Sequence, residues 1–126
     1  MPYHLPPVIN NLDGTYSLTE DFIFTDASVI GEGNKITVPA HFKTDYASVP
    51  WPLTLFFPKD GRHAIAAVVH DYLYGLAREN KFSRVVADAI FLAIMKKSGV
   101  NFQKAMVMYF AVRAAGWAVI KLTKKL

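Results

Sequence analysis

The chain has 126 residues, of which 52% are hydrophobic and 13% aromatic, so it is too apolar for a disordered chain and has the length of one ordinary domain. It contains no cysteine, which excludes a disulfide framework, a thiolate zinc site and a cysteine nucleophile. The net charge of +4 at pH 7 is modest and forms no basic stripe, so we expect no nucleic acid among its partners.

The first half of the chain alternates turn residues with short segments rich in β-branched and aromatic side chains, a pattern typical of strands. We predict no helix before Pro58. The predicted strands cover residues 16–18, 22–25, 29–30 and 35–38 and form a small antiparallel sheet. The run Gly31-Glu32-Gly33-Asn34 is predicted as the hairpin turn between the last two of them.

A proline-rich loop is predicted over residues 44–52, because proline removes a backbone donor and disfavours the helical conformation of the residue before it. Asp45 and Ser48 in this loop either bond to nearby backbone and stabilise the turn, or line a site if the loop folds over His70. The aromatic residues that follow are either a lid on the core or a patch that contacts a partner or a membrane surface; they are Trp51, Phe56 and Phe57.

From Gly61 onward the hydrophobic pattern takes the period of helices. We predict helices over residues 62–76, from the Ser83 cap to residue 97, and from the Asn101 cap almost to the end, with Gly99 as a helix stop. The predicted fold class is therefore α+β, with a small N-terminal antiparallel β-sheet packed on about three C-terminal helices. All 126 residues form a single domain in this prediction, residues 1–58 mainly β and loops and residues 61–126 helical.

No basic segment followed by an apolar core and a cleavage site is visible near Met1, so no signal peptide is predicted. The most apolar stretch, residues 105–120, is interrupted by Arg113 and falls short of the roughly 20 apolar residues that span a bilayer. We expect no transmembrane span, and we expect synthesis and folding in a cytoplasm.

Ionisable residues stand inside two of the predicted apolar helices, in the run His70-Asp71-Tyr72-Leu73-Tyr74 and, alone, at Asp88. Such groups are costly to bury unless they are paired, hydrogen-bonded or bound to a metal. His70 and Tyr74 are four residues apart and share a helix face. Because the two helices are joined by a short connection, they form an antiparallel hairpin that brings Asp88 roughly opposite this face.

Three interpretations of this set remain open. In the first, Asp88 fixes the tautomer of His70, which acts as a general base. In the second, His70, Asp71 and Asp88, together with Asp45, hold a divalent metal such as Ca²⁺, Mg²⁺, Mn²⁺ or Zn²⁺. In the third, His70 and Asp88 are a buried hydrogen-bonded pair that fixes the helix register, and Asp71 faces the helix end or pairs with an arginine, Arg62, Arg78 or Arg113.

Four short motifs follow one another between residue 42 and about residue 117. They are Thr44-Asp45-Tyr46-Ala47-Ser48-Val49-Pro50, Gly61-Arg62, Ala67-Val68-Val69-His70-Asp71-Tyr72-Leu73-Tyr74, and Ala87-Asp88 with Phe91. In this order they resemble the phage and prophage proteins described as domain of unknown function 1353. The resemblance implies a tailed-phage or prophage origin, a role in the virion, in lysis or in altering the host, and other phage proteins or further copies of the chain as partners.

The spacing in His70-Asp71-Tyr72-Leu73-Tyr74 is also similar to that of the active helix of phospholipases A2. This resemblance implies that His70 is the base that activates water and that Asp71 is a calcium ligand. It also implies that Tyr74 is a hydrogen-bonding support and that Asp88 orients the histidine. The chain lacks the cysteines and the glycine-rich calcium loop of that family.

Two functions are therefore expected as alternatives. The first is a small phage-encoded hydrolase-like protein with His70 and Asp88 as catalytic residues, with or without a metal held by Asp71 and Asp45. Its supporting residues are Tyr74, Ser48 and Thr44, and the family resemblance suggests an ester or phosphoester of the host envelope as substrate. The second is a non-enzymatic virion component, of the tail or of assembly, in which the same residues form a buried structural network.

Overall fold

The computed structural model describes residue 4 and residues 6–13, 15–44 and 63–124, with side chains as far as residue 115. In chain order the elements are β1 (Val8–Asn10), β2 (Tyr16–Leu18), β3 (Phe22–Phe24), α1 (Ala27–Ile30), β4 (Ile36–Val38), β5 (Lys43–Thr44), α2 (Ala64–Arg78), α3 (Arg84–Lys97) and α4 (Phe102–Lys124). The strands lie in the N-terminal half and the three long helices of the described part in the C-terminal half. The predicted α+β class is confirmed.

The described strands form two small antiparallel sheets instead of one. In the first, β2 lies between β1 and β5, with Val8 opposite Leu18 and Tyr16 opposite Thr44. In the second, β3 pairs with β4. β1 and β5 were not predicted, because segments of three and two residues carry too little periodicity to be recognised.

The predicted strand at residues 29–30 is wrong, as is the prediction of no helix before Pro58, because these residues belong to the single turn α1. The Asp26 side chain caps this turn by accepting a hydrogen bond from the Ser28 amide at 3.0 Å. Gly31 ends it with a φ of +90° and donates its N–H to the Ala27 carbonyl. These local bonds use the backbone groups that a strand would need for pairing.

The long helices begin and end close to their predicted bounds. α2 starts and stops two residues later than predicted, whereas α3 runs from the predicted Ser83 cap, whose side chain accepts from the Val86 amide, to residue 97. The φ of Gly99 is +87°, as suits a residue just beyond a helix end. The Asn101 side chain caps α4 by accepting from the Gln103 amide at 2.9 Å. Within the described ranges, no helix has the length and apolarity needed for a membrane crossing.

The core lies where α3 packs against α2 on one side and α4 on the other. The helices contribute fully buried residues such as Val68, Leu73, Phe91 and Ile94, and α2 also contacts β4 and β5. This packing gives α3 two helical neighbours, so a polar side chain on its inner faces is surrounded by other helices.

The alternation along β3 provides a first prediction. Phe24 is 2% exposed and Ile23 is 54% exposed, so neighbouring residues of one strand face the core and the solvent. We expect Phe24→Ala to lower the free energy of unfolding by about 3–5 kcal/mol, because it removes a buried ring and leaves a cavity. Ile23→Ala should cost less than about 1 kcal/mol. Urea denaturation of both variants checks this, and equal losses would contradict the assignment of the two faces.

Candidate functional site

Side chains from three helices meet at the carboxylate of Asp88, which is 0% exposed. His70 on α2 bonds through Nε2 to Oδ1 at 2.7 Å. Arg113 on α4 donates from Nη1 to Oδ2 at 2.8 Å, and the Tyr74 hydroxyl lies 3.3 Å from the same oxygen. These four residues are called the Asp88 cluster below. The predicted meeting of His70, Tyr74 and Asp88 is found, and Arg113 joins them.

Helical spacing places the imidazole of His70 between two aromatic rings. Tyr74 lies one turn further along α2, and its ring centroid is 4.2 Å from that of His70. Phe91 lies three residues after Asp88 on α3, with its centroid 4.8 Å from that of His70. The two rings and the bond to Asp88 together fix both the plane and the rotation of the imidazole.

The partner of His70 determines which ring nitrogen carries the proton. An ionised carboxylate only accepts hydrogen bonds, so the Nε2–H of His70 is the donor to Asp88. In the neutral ring, Nδ1 then bears a lone pair. Nδ1 is buried and has no hydrogen-bond partner among the described residues. The histidine therefore offers one basic atom that the described structure leaves unused.

Two opposing effects set the charge of Asp88. Burial raises the pKa of this carboxyl group, but the hydrogen bonds from His70 and Arg113 lower it by more, so that the pKa lies below its usual value. The hydrogen bond to Asp88 also raises the pKa of Arg113. Asp88 and Arg113 are consequently a charged pair at neutral pH, and their bond links α3 to α4.

The Tyr74 hydroxyl supports Asp88 and also contacts α4. Burial raises the pKa of the phenol well above its usual value, and the negative charge of Asp88 raises it further, so the hydroxyl stays protonated. Its single proton is shared between Asp88 Oδ2 and the Val112 carbonyl, each at 3.3 Å. Tyr74 thus connects α2 to both of the other long helices.

Asp71 follows His70 in the sequence but takes part in a different contact. It accepts a hydrogen bond from Thr44 Oγ1 at 2.5 Å, and Thr44 is 1% exposed on β5. This bond ties α2 to the first sheet. Asp45 and Ser48 lie outside the described residues, so their predicted places beside His70 stay predictions.

The described residues do not provide the set of ligands that the metal interpretation requires. Among them, no group of three or more histidine, aspartate or glutamate side chains is placed to hold a metal ion. Asp71 supplies one carboxylate, already bonded to Thr44, and Asp88 is occupied by its three donors. The metal-binding roles of Asp71 and Asp45 remain predictions.

Arg113 is the residue of the cluster that the sequence analysis did not place in the site. It was noted only as an interruption of the apolar stretch in α4 and as one of several partners for Asp71, whereas the structure pairs it with Asp88. The signal was present in the sequence, because a lone cation in an apolar helix needs a partner for the same reason as a lone carboxylate.

The charge on Asp88 can be tested by Asp88→Asn, which keeps the shape and removes the charge. We expect the free energy of unfolding at pH 7 to fall by about 1–3 kcal/mol, because an amide cannot accept from all three donors. Chemical denaturation measures the loss. Glu32→Gln is the matched control, since it removes the same charge at an exposed turn residue and should leave stability unchanged. Equal stability of both variants would contradict the network.

The lowered pKa of Asp88 predicts how this loss depends on pH. A carboxyl whose pKa is lower in the folded state than its unfolded value of 3.8 adds stability above pH 3.8. That stability disappears as the pH falls through the folded-state pKa. The difference in unfolding free energy between the wild type and Asp88→Asn should therefore shrink as the pH falls below about 4. A constant difference from pH 7 to pH 3 would show that the fold does not lower the pKa of Asp88.

Comparison with known proteins places the chain in a family. Residues 16–112, which are more than half of the chain, match the model of the family described as protein of unknown function (DUF1353). Neither the curated proteins nor the solved structures contain a match to the chain. The matched range includes His70, Tyr74 and Asp88 and ends one residue before Arg113. By this match, the chain belongs to the DUF1353 family, whose function is unknown.

Proposed function

We propose that the chain is a small hydrolase in which His70 is the general base and Asp88 orients it. The observation that carries the proposal is the asymmetry of the imidazole: Nε2 is bonded to Asp88, and Nδ1 is buried with no partner among the described residues. Leaving a buried acceptor unpaired costs about 1–3 kcal/mol. A water molecule or a substrate hydroxyl bound to Nδ1 removes that cost and is in place to lose a proton.

The chemistry follows from this arrangement. A water bonded to Nδ1 gives up its proton as its oxygen attacks a carbonyl carbon or a phosphorus atom. The imidazolium that forms is stabilised by the ionised carboxylate of Asp88, and the proton then passes to the leaving oxygen. Arg113 and Tyr74 keep Asp88 in place during these steps. The proposed substrates are esters or phosphoesters, and a positioned base of this kind contributes about 10²–10⁴-fold to the rate.

The resemblance to phospholipases A2 supports the same roles. The histidine contacts an aspartate of a second helix, and the tyrosine four residues later contacts that same aspartate, as the resemblance implies. The calcium ion of that family is a different matter, because Asp71 is bonded to Thr44 and the described residues supply no further ligand group.

A phage or prophage origin is part of the proposal and rests on the motif resemblance to the family. A hydrolase of such an origin would act on the host envelope during lysis or entry. The reaction would then use calcium, magnesium, manganese or zinc only if Asp45 and Asp71 together bind the ion. A rise in the melting temperature with one of these ions, lost in Asp71→Asn, would support that addition.

A non-enzymatic role in the virion is the second candidate, and the burial of the pair favours it. His70 is 4% exposed and Asp88 is 0% exposed, and their network joins α2, α3 and α4. In this role the cluster fixes the helix packing of a tail or assembly protein. Phe102 and Phe110 on α4, 62% and 64% exposed, are then candidates for contact with other subunits.

The two candidates are separated by paired variants. The wild type and His70→Asn are assayed with a nitrophenyl ester and with bis(nitrophenyl) phosphate, and His41→Asn serves as control because His41 is exposed and its φ of +70° suits asparagine. The hydrolase predicts turnover by the wild type and by His41→Asn, with kcat about 10²–10⁴-fold lower in His70→Asn. Far-UV circular dichroism checks that each variant is folded.

A second measurement does not depend on the choice of substrate. The folded chain is treated with diethyl pyrocarbonate, and labelling at each histidine is followed by mass spectrometry, with the exposed His4 and His41 as references. A base that water can reach should be labelled in the folded state. Labelling of His70 only when the chain unfolds, together with no turnover, would overturn the hydrolase in favour of the structural role.

A further inference from the structure

Arg84 is the first residue of α3 and lies one helical turn before Asp88. Because the two residues are four apart, the arginine stands on the same face of α3 as the carboxylate of the Asp88 cluster. The residue is partly buried, and its Nη1 atom is buried with no hydrogen-bond partner in the part of the chain that the structure describes. Among the described residues, no carboxylate forms an ion pair with it.

The charges around Arg84 do not balance. Arg84 and Arg113 both act on the Tyr74 hydroxyl, where their positive charges oppose the rise in pKa caused by burial and by Asp88. Asp88 is the carboxylate bonded to Arg113, and His70 in its neutral form adds no charge. Of the described residues, two guanidinium groups and one carboxylate thus leave an excess of one positive charge at the first turn of α3.

Arg113 also retains unused donors. A guanidinium group carries five N–H donors, and among the described residues one protein acceptor, Asp88, is bonded to that of Arg113. Its side chain is 29% exposed, so part of it is in contact with the solvent. Arg84 stands four residues before Asp88 on α3 and Arg113 bonds to Asp88, so both arginines lie near the same carboxylate.

We propose that Arg84 and Arg113 form an anion-binding site at this end of α3, which takes the phosphate or carboxylate group of a ligand. Oxygen pairs of such groups match the planar fork of a guanidinium and form charge-assisted hydrogen bonds with it. An anion supplies both an acceptor for Nη1 of Arg84 and a negative charge that offsets the excess positive charge of the two arginines. A water molecule supplies only the first.

The site goes beyond the proposed hydrolase and does not depend on it. Nδ1 of His70 points away from Asp88, whereas Arg113 lies against the other oxygen of that carboxylate. Binding of an anion can thus be measured without turnover. The outcome of the anion titration does not decide whether His70 is a base. The outcome of the activity assay does not decide whether Arg84 binds an anion.

The test is a titration of the full chain with inorganic phosphate and, separately, with acetate, at constant ionic strength kept with sodium chloride. Arginine Nε–H resonances in proton–nitrogen NMR spectra report the binding. We expect a saturable shift for Arg84 and Arg113. In Arg84→Gln, phosphate should bind at least about tenfold more weakly, the loss of one hydrogen bond between charged groups.

Two further variants make the test specific. Lys104→Gln removes one positive charge near the start of α4, nine residues before Arg113, and should bind phosphate like the wild type. Arg84→Lys keeps the charge without the fork and should show intermediate affinity. Stronger binding of phosphate than of acetate assigns a phosphorylated ligand, and the reverse order assigns a carboxylate. No saturable shift, or the same weakening in Lys104→Gln as in Arg84→Gln, would overturn the proposal.

Discussion

The carboxylate of Asp88 is the constraint on which the helical half of this protein depends. A carboxylate that is 0% exposed is stable only if its oxygens accept hydrogen bonds from charged or polar donors. Here those donors come from α2 and α4, on either side of the helix that carries Asp88. The apolar contacts of α3 permit many rotations and shifts of the helices. The three bonds to one carboxylate fix a single arrangement.

The same constraint determines what His70 can do. Its Nε2 is committed to Asp88, and Tyr74 and Phe91 lie close to its ring, so the orientation of the imidazole follows from the packing of the helices. A structural lock and a general base share all of this geometry. The burial of the pair favours the lock, because water must reach a base. Nδ1 favours the base, since its lone pair has no donor among the described residues and a lock has no use for it.

Much of the helical half could be predicted from the sequence, because its signals are local. The Ser83 cap and the helical spacing of His70 and Tyr74 lie within a few residues of the structure that they determine. Asp88 was found because a lone carboxylate in an apolar run requires a partner. The strand predicted at residues 29–30 failed for the opposite reason, since the Asp26 cap and Gly31 stabilise a helical turn more than the β-branched side chains favour a strand.

Contacts between distant parts of the chain could not be predicted in the same way. The partner of Asp71 is Thr44, 27 residues earlier, and the partner of Arg113 is Asp88, 25 residues earlier. Each pairing depends on how the elements pack. The sequence shows that a charged residue in an apolar segment needs a partner, but it does not show which residue that partner is. This explains why Asp71 was predicted to bind a metal or an arginine, while the arginine in question bonds to the other aspartate.

Arg113 also affects the chemistry of the pair that it supports. Arg113 bonds to Oδ2 of Asp88 and His70 bonds to Oδ1, so the guanidinium and the imidazole interact with the same negative charge. When His70 gains a proton, a buried aspartate without Arg113 would be free to take that proton and become neutral. With the guanidinium in place, the pKa of Asp88 stays low and the carboxylate remains ionised opposite the imidazolium. In the proposed hydrolase, this arginine would therefore keep the proton on the histidine while the general base holds it.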